Sequence, residues 1–248
     1  MNRLGIATLA LVLLACRPPE PRELVTVEVT PEPIGAGPVR LDVDMPGGQL
    51  DVLGGGAEGI SGTLRYDHPS MEPIFAVEST DDGATATLTA KWAPGIGPTT
   101  NLWTLNLPPS RPTDLDLNMG SGRLNVAPSG VTLRSMTARL NFGEVLCDLT
   151  EAVWDETLEV SIEIGNGPQA RVVVPDDAGV RLRAIHSVGS VDAPAFEEKD
   201  DETWHGAGYG DRGRTLELVI RVGTGDIVVR TAAEEAAAAE EDESAADD

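Results

Sequence analysis

Cysteine is nearly missing from this sequence: 248 residues contain two, Cys16 and Cys147. Once Cys16 is assigned to the N-terminal signal described below, Cys147 has no partner, so no intrachain disulfide can form. Histidine is as scarce. His68, His186 and His205 have no His or Cys neighbour two to four residues away, which excludes the usual zinc spacing. Basic residues number 18 against 41 acids, a net charge of −23, and such a surface repels nucleic acid and anionic lipid. No apolar run approaches the roughly 20 residues that cross a bilayer as a helix. There is no 3.6-residue periodicity before the C-terminal tail, and 27 Gly with 18 Pro argue against a helical body. No Gly-x-Ser-x-Gly elbow with a neighbouring His offers a nucleophile. Nucleic-acid partners are excluded by charge, no catalytic set is visible, and neither a cofactor nor a metal is expected.

The two ends carry their own signals. Arg3 precedes an apolar run, Leu4 to Ala15, too short to span a membrane and suited to a signal peptide over residues 1–15. Leu13-Leu14-Ala15-Cys16 resembles the lipobox of bacterial lipoproteins, with Leu14 bulkier than usual. The resemblance implies that Cys16 becomes the acylated N-terminus, holding the protein to the cell membrane or outer membrane through its acyl chains. Residues 16–37 read as a Pro-rich tether, within which Leu24 to Val29 alternates as a strand does. Residues 232–248 hold eight acids, no base and no large apolar residue; a disordered acidic tail is expected there.

Between the ends one pattern recurs: an alternating strand, a glycine-centred turn, and a second short alternating strand. Copies lie at 115–128, 138–149, 160–175, 182–194 and 216–230, with Gly122, Gly143, Gly167, Gly189 and Gly225 in equivalent places, 21, 24, 22 and 36 residues apart. Residues 39–52 form a degenerate earlier copy around Gly48. Further strands are expected at 62–66, 74–78, 84–92 and 102–107. A period near 22 favours stacked rungs of a β-solenoid over a meander of hairpins, with 38–108 as an N-terminal β part and 109–231 as the regular repeats. In this scheme Cys147 shares a face with Val145 and Leu149 and is a buried, inert thiol.

The Gly-x-Gly turns at 120–122, 165–167 and 223–225, preceded by Trp103-Thr104-Leu105-Asn106-Leu107-Pro108, are similar to those of the toast-rack family. That family is related to the C-terminal domain of LiaF-like cell-wall-active-antibiotics response proteins and to adhesin-type solenoid domains. The resemblance runs over roughly 38–231. It implies an all-β, single-stranded, right-handed β-helix-like solenoid in an envelope protein, without catalytic residues. The copy around Gly143 departs from it by lacking the first glycine.

The last long gap holds an insertion, Phe196 to Gly213. Its aromatic, Gly-rich segment Trp204-His205-Gly206-Ala207-Gly208-Tyr209 follows the acidic run 197–202. Trp204, His205 and Tyr209 are the candidate ligand residues, set against a plainer reading in which Trp204 packs over the end of the solenoid. Gly208-Tyr209-Gly210-Asp211-Arg212-Gly213 matches GxGxxG, but a strand follows rather than the helix that a dinucleotide needs. The expected function is a lipid-anchored, non-enzymatic envelope scaffold, sensor or adhesion module with an envelope protein or glycan partner. A carbohydrate-binding or carbohydrate-active β-helix and a self-assembling envelope protein are the alternatives.

Overall fold

The computed structural model describes residues 23–31, 37–56, 59–80, 82–91, 99–109 and 111–246. The signal segment, Cys16, most of the tether and Trp92 lie outside the described residues. The strands in chain order are β1 Val25–Val29, β2 Val39–Met45, β3 Gly48–Leu53, β4 Ser61–Tyr66, β5 Ile74–Thr80, β6 Gly83–Thr89, β7 Asn101–Asn106, β8 Thr113–Ala127, β9 Leu133–Asp148 and β10 Thr157–Val174. They continue with β11 Gly179–Val188, β12 Val191–Asp192, β13 Phe196–Asp200, β14 Thr203–Gly206 and β15 Thr215–Thr231, and the chain ends in a helix, α1, Ala232–Ala246.

Each long strand is one repeat bent at its glycines. In β8 the first arm buries Leu115, Leu117 and Met119, the corner turns outward, and the second arm buries Leu124 and Val126. Period-2 alternation on either side of the corner sends both sets of side chains into one shared aliphatic core. The all-β solenoid expected from the repeat is therefore the observed architecture.

Seven rungs stack in parallel among the described residues. In space they run β6/β7, β2/β3, β8, β9, β10, β15, β11/β12. The chain does not climb this stack in order. At the N-terminal end β6/β7 lies outside β2/β3, and at the C-terminal end β15 inserts between β10 and β11. The stack also runs without a break across residue 108, where the regular repeats were expected to begin.

Hydrogen-bonded antiparallel strands cover three of the outermost rung edges. β5 pairs with β6; β4 pairs with β7 and carries β1 on its far side; β14 pairs with β11 and carries β13. The outer strand β13 exposes Glu197, Glu198, Lys199 and Asp200, charges that discourage further strand addition.

The tail departs from expectation, since residues 232–246 are helical rather than disordered. Thr231 and Glu234 form a reciprocal cap. The Glu234 amide donates to Thr231 Oγ1 at 3.4 Å, and the Thr231 amide donates to Glu234 Oε2 at 3.0 Å. Arg171 on β10 pairs with Glu235 at 2.5 Å. With the end of β15 and the Thr231–Glu234 cap fixing the first turn, nucleation is already met and the Ala and Glu residues propagate the helix.

Candidate functional site

The insertion that holds Trp204, His205 and Tyr209 folds as the β13–β14 hairpin followed by a turn that leads into β15. Leu182 and Glu198 stand opposite Trp204, while Arg181 and Glu197 stand opposite His205. Successive residues of a strand face opposite sides. Trp204 consequently turns inward and packs against the core beside buried Phe196, covering the end of the solenoid.

His205 turns outward and meets Tyr209, with ring centroids 4.4 Å apart at 43°. The Tyr209 hydroxyl donates to Glu217 Oε1 at 2.9 Å, and Arg181 approaches the other oxygen of Glu217 at 3.4 Å. Partial burial, and then the bond to Glu217, raise the Tyr209 pKa above the usual phenol range. Glu197, Lys199, His205 and Tyr209 line an open groove of about 390 Å³. The structure thus brings His205 and Tyr209 together and places Trp204 on the other face. Sequence reasoning missed Arg181 and Glu217, which belong to the preceding and following rungs; only their outward place in the alternation hinted at them.

The remaining histidines have structural surroundings. His68 Nδ1 accepts from the Ser70 amide at 3.2 Å and caps the 3-10 turn Pro69–Met71, and His186 is exposed on the last rung. Cys147 is buried, and burial, with Asp148 adding to it, pushes its thiol pKa up. Among the described residues no group of three or more His, Cys, Asp or Glu side chains could hold a metal ion. No helix among them is long and apolar enough to cross a membrane.

Along the outer face of the first arms, charges are matched from rung to rung. Arg40 pairs with Asp42 at 2.7 Å and with Asp116 at 3.2 Å; Arg139 reaches Asp116 at 3.0 Å; Ser135 donates to Asp114 at 2.8 Å. Asp192 and Asp177 are held below the usual carboxylate range by hydrogen bonds from Arg230 and Arg214. Of these, Arg40–Asp116, Arg139–Asp116, Ser135–Asp114 and Arg230–Asp192 join neighbouring rungs.

Residues 20–169 match the family model for the N-terminal domain of toast_rack, DUF2154. The chain belongs to the toast-rack family. Within that family assignment the rung stack continues beyond the matched span to Thr231. Among solved structures, a candidate cell adhesion protein from Clostridium sporogenes is 21% identical, aligns with 85% of this chain and 100% of its own, and has a TM-score of 0.74. At that identity the likeness is one of fold. Two candidate adhesins, from Bacteroides fragilis (11% identical, 84% of this chain and 97% of that chain) and Parabacteroides distasonis (10%, 84% and 97%), superpose at a TM-score of only 0.27 and carry no structural weight. No curated protein matches the sequence.

Proposed function

We propose that this toast-rack protein is a lipid-anchored, non-enzymatic module that presents a rigid β-solenoid for adhesion or scaffolding on the outside of the cell envelope. The observation that carries the reading is the position of the two ends. β1, the strand within the tether, edges one end of the stack, and the β13–β14 hairpin edges the other. Seven rungs at about 4.8 Å separate a membrane-proximal end from a distal one by roughly 30 Å. Support for the anchor comes from the signal-like residues 1–15 and from Cys16, which the reading makes the acylated residue. Support for adhesion comes from the family and from the fold shared with the Clostridium sporogenes protein. The matched outer ion pairs and aliphatic interior suit a rigid display surface better than a reaction centre. The charged outer edge of β13 weighs against end-to-end polymerisation.

Two measurements test this. Expressed with labelled palmitate, the chain is expected to incorporate label and fractionate with membranes, and Cys16→Ala to do neither; a labelled Cys16→Ala variant removes the anchor. Purified protein is expected to bind envelope fragments without changing them. Turnover of any cell-wall or capsule polysaccharide would end the non-enzymatic reading.

A further inference from the structure

Among the four long strands β8, β9, β10 and β15 in the middle of the stack, one departs from the Gly-x-Gly corner. Where the neighbouring corners read Gly120-Ser121-Gly122 and Gly165-Asn166-Gly167, β9 carries Asn141-Phe142-Gly143. In the pairing register Phe142 stands between Ser121 and Asn166 on the outer ridge of the corner, and it is 59% exposed. Asn141 lies between Gly120 and Gly165. A Cβ on Gly120 would meet the Pro46 carbonyl at 2.2 Å, and one on Gly165 the Asn141 carbonyl at 2.6 Å, so neither neighbour can carry a side chain that fills the space beside Asn141.

The result is a notch at Gly120, part of a groove of about 580 Å³. Asp44, Asn118 and Arg139 lie side by side across three adjacent rungs, next to the notch. Arg139 is held in place by Asp116 at 3.0 Å and by the Asn118 side-chain oxygen at 3.3 Å, and Asn118 donates to Asp116 at 3.2 Å. Asp44 and Asn141 have no side-chain hydrogen bond among the described residues. A lone exposed aromatic is ordinary on a protein surface. Here it borders a cleft supplied with fixed planar donors and acceptors, on a scaffold that cannot collapse around it.

We propose that this groove binds a neutral saccharide, with Phe142 covering the apolar C–H face of a sugar ring and Asn118, Asn141, Arg139 and Asp44 hydrogen-bonding its hydroxyls. A sugar offers both surfaces at once, an apolar ring face and a rim of hydroxyls, and an aromatic platform beside a few fixed polar groups matches both. Charge selects a neutral ligand. Arg139 is already compensated by Asp116, Asp44 is acidic, and the whole chain carries −23, so an acidic glycan is repelled. This inference rests on the adhesion reading and gives it a ligand class.

The test is saturation-transfer NMR and calorimetry on the full chain carrying Cys16→Ser, with maltotriose, mannotriose and chitotriose as neutral probes and trigalacturonate as the acidic one. The key variant is Asn141→Gly with Phe142→Ser, which writes a neighbour's Gly-Ser-Gly corner into β9 and so preserves the stack. At least one neutral probe is expected to bind, the acidic probe to bind less well, and the variant to lose affinity roughly tenfold or more with unchanged melting. Absence of binding by all neutral probes, preference for trigalacturonate, or affinity unaffected by the variant overturns the proposal. So does loss of binding with Tyr209→Ala instead, which moves the site to the hairpin. Binding to envelope fragments is followed in parallel. If it persists in the double variant while no saccharide binds, the groove proposal falls and the adhesion reading stands; if the parent chain binds no fragment, the adhesion reading falls.

Discussion

The carbonyl oxygen of Gly122 occupies the place where a side chain on Gly143 would have to go, since a Cβ on Gly143 would stand 1.8 Å from it. The same relation recurs along the corner, from Gly48 beneath Gly122 to Gly225 beneath Gly189. Glycine is needed here both for its positive φ, +133° at Gly143, and for the close approach of the next rung. Gly143→Ala is expected to destabilise by at least about 2 kcal/mol, because the obstacle is backbone and cannot swing aside. Gly130, with φ +68° and open space around it, is the control. Its Ala variant is expected to cost about 1 kcal/mol, the left-handed backbone penalty alone. Urea melts of the two variants measure the difference.

The position of β15 makes the C-terminus separable into two parts. Deleting 232–248 removes α1 and the half-exposed Arg171–Glu235 pair, and is expected to change stability by about 1 kcal/mol or less. Deleting from Thr215 onward strips Leu216, Leu218, Ile220, Val222, Ile227 and Val229 from between β10 and β11. At about 1.5–3 kcal/mol each, their loss rivals the stability of a whole domain, and no cooperative transition is expected. Circular dichroism against temperature distinguishes the two truncations.

Arg230 straps the last rungs through Asp192, which it holds below the usual carboxylate range. A depressed folded pKa contributes stability above the unfolded value, near 4, and loses it as pH falls through the lower folded value. Asp192→Asn is therefore expected to cost up to about 1 kcal/mol at pH 7, the pair being half exposed, and almost nothing near pH 2. Denaturant melts of both proteins across that range check the convergence.

Cys147 is 2% exposed, in the second arm of β9, and burial keeps its thiol protonated. In a Cys16→Ser background it is expected to react with a thiol reagent roughly a thousandfold or more slowly than a free cysteine, and at full rate in denaturant. Prompt modification in native buffer would contradict the buried placement.

Much of the architecture was legible. The alternation Leu115, Leu117, Met119 and the recurring glycines named the strands, the inward faces and the corners, and the four earlier strands lie within a few residues of expectation. The helix at the tail was not foreseen, although Thr231-Ala-Ala-Glu234 is a capping-box pattern; composition outweighed it because an isolated acidic helix of that length nucleates poorly. Within the candidate hairpin, Trp204 follows the plainer reading and packs over the end of the solenoid, while His205 and Tyr209 meet on the other face. That division depends on which face of β14 meets the core.

The sequence by itself determined which side chains point inward, because a period of two fixes the face of every strand residue, and where the chain must bend, because only glycine tolerates the corner. Only the tertiary structure decided which rung lies beside which. Every rung offers its neighbours the same row of amides and carbonyls, an aliphatic interior and a glycine corner, so no rung carries a unique address. The order at both ends follows from connections long enough to bring the chain back by one rung, as residues 193–214 do before β15 returns between β10 and β11. For the same reason the side-by-side placement of Asp44, Asn118 and Arg139, which are distant in the chain, exists only once the rungs are stacked.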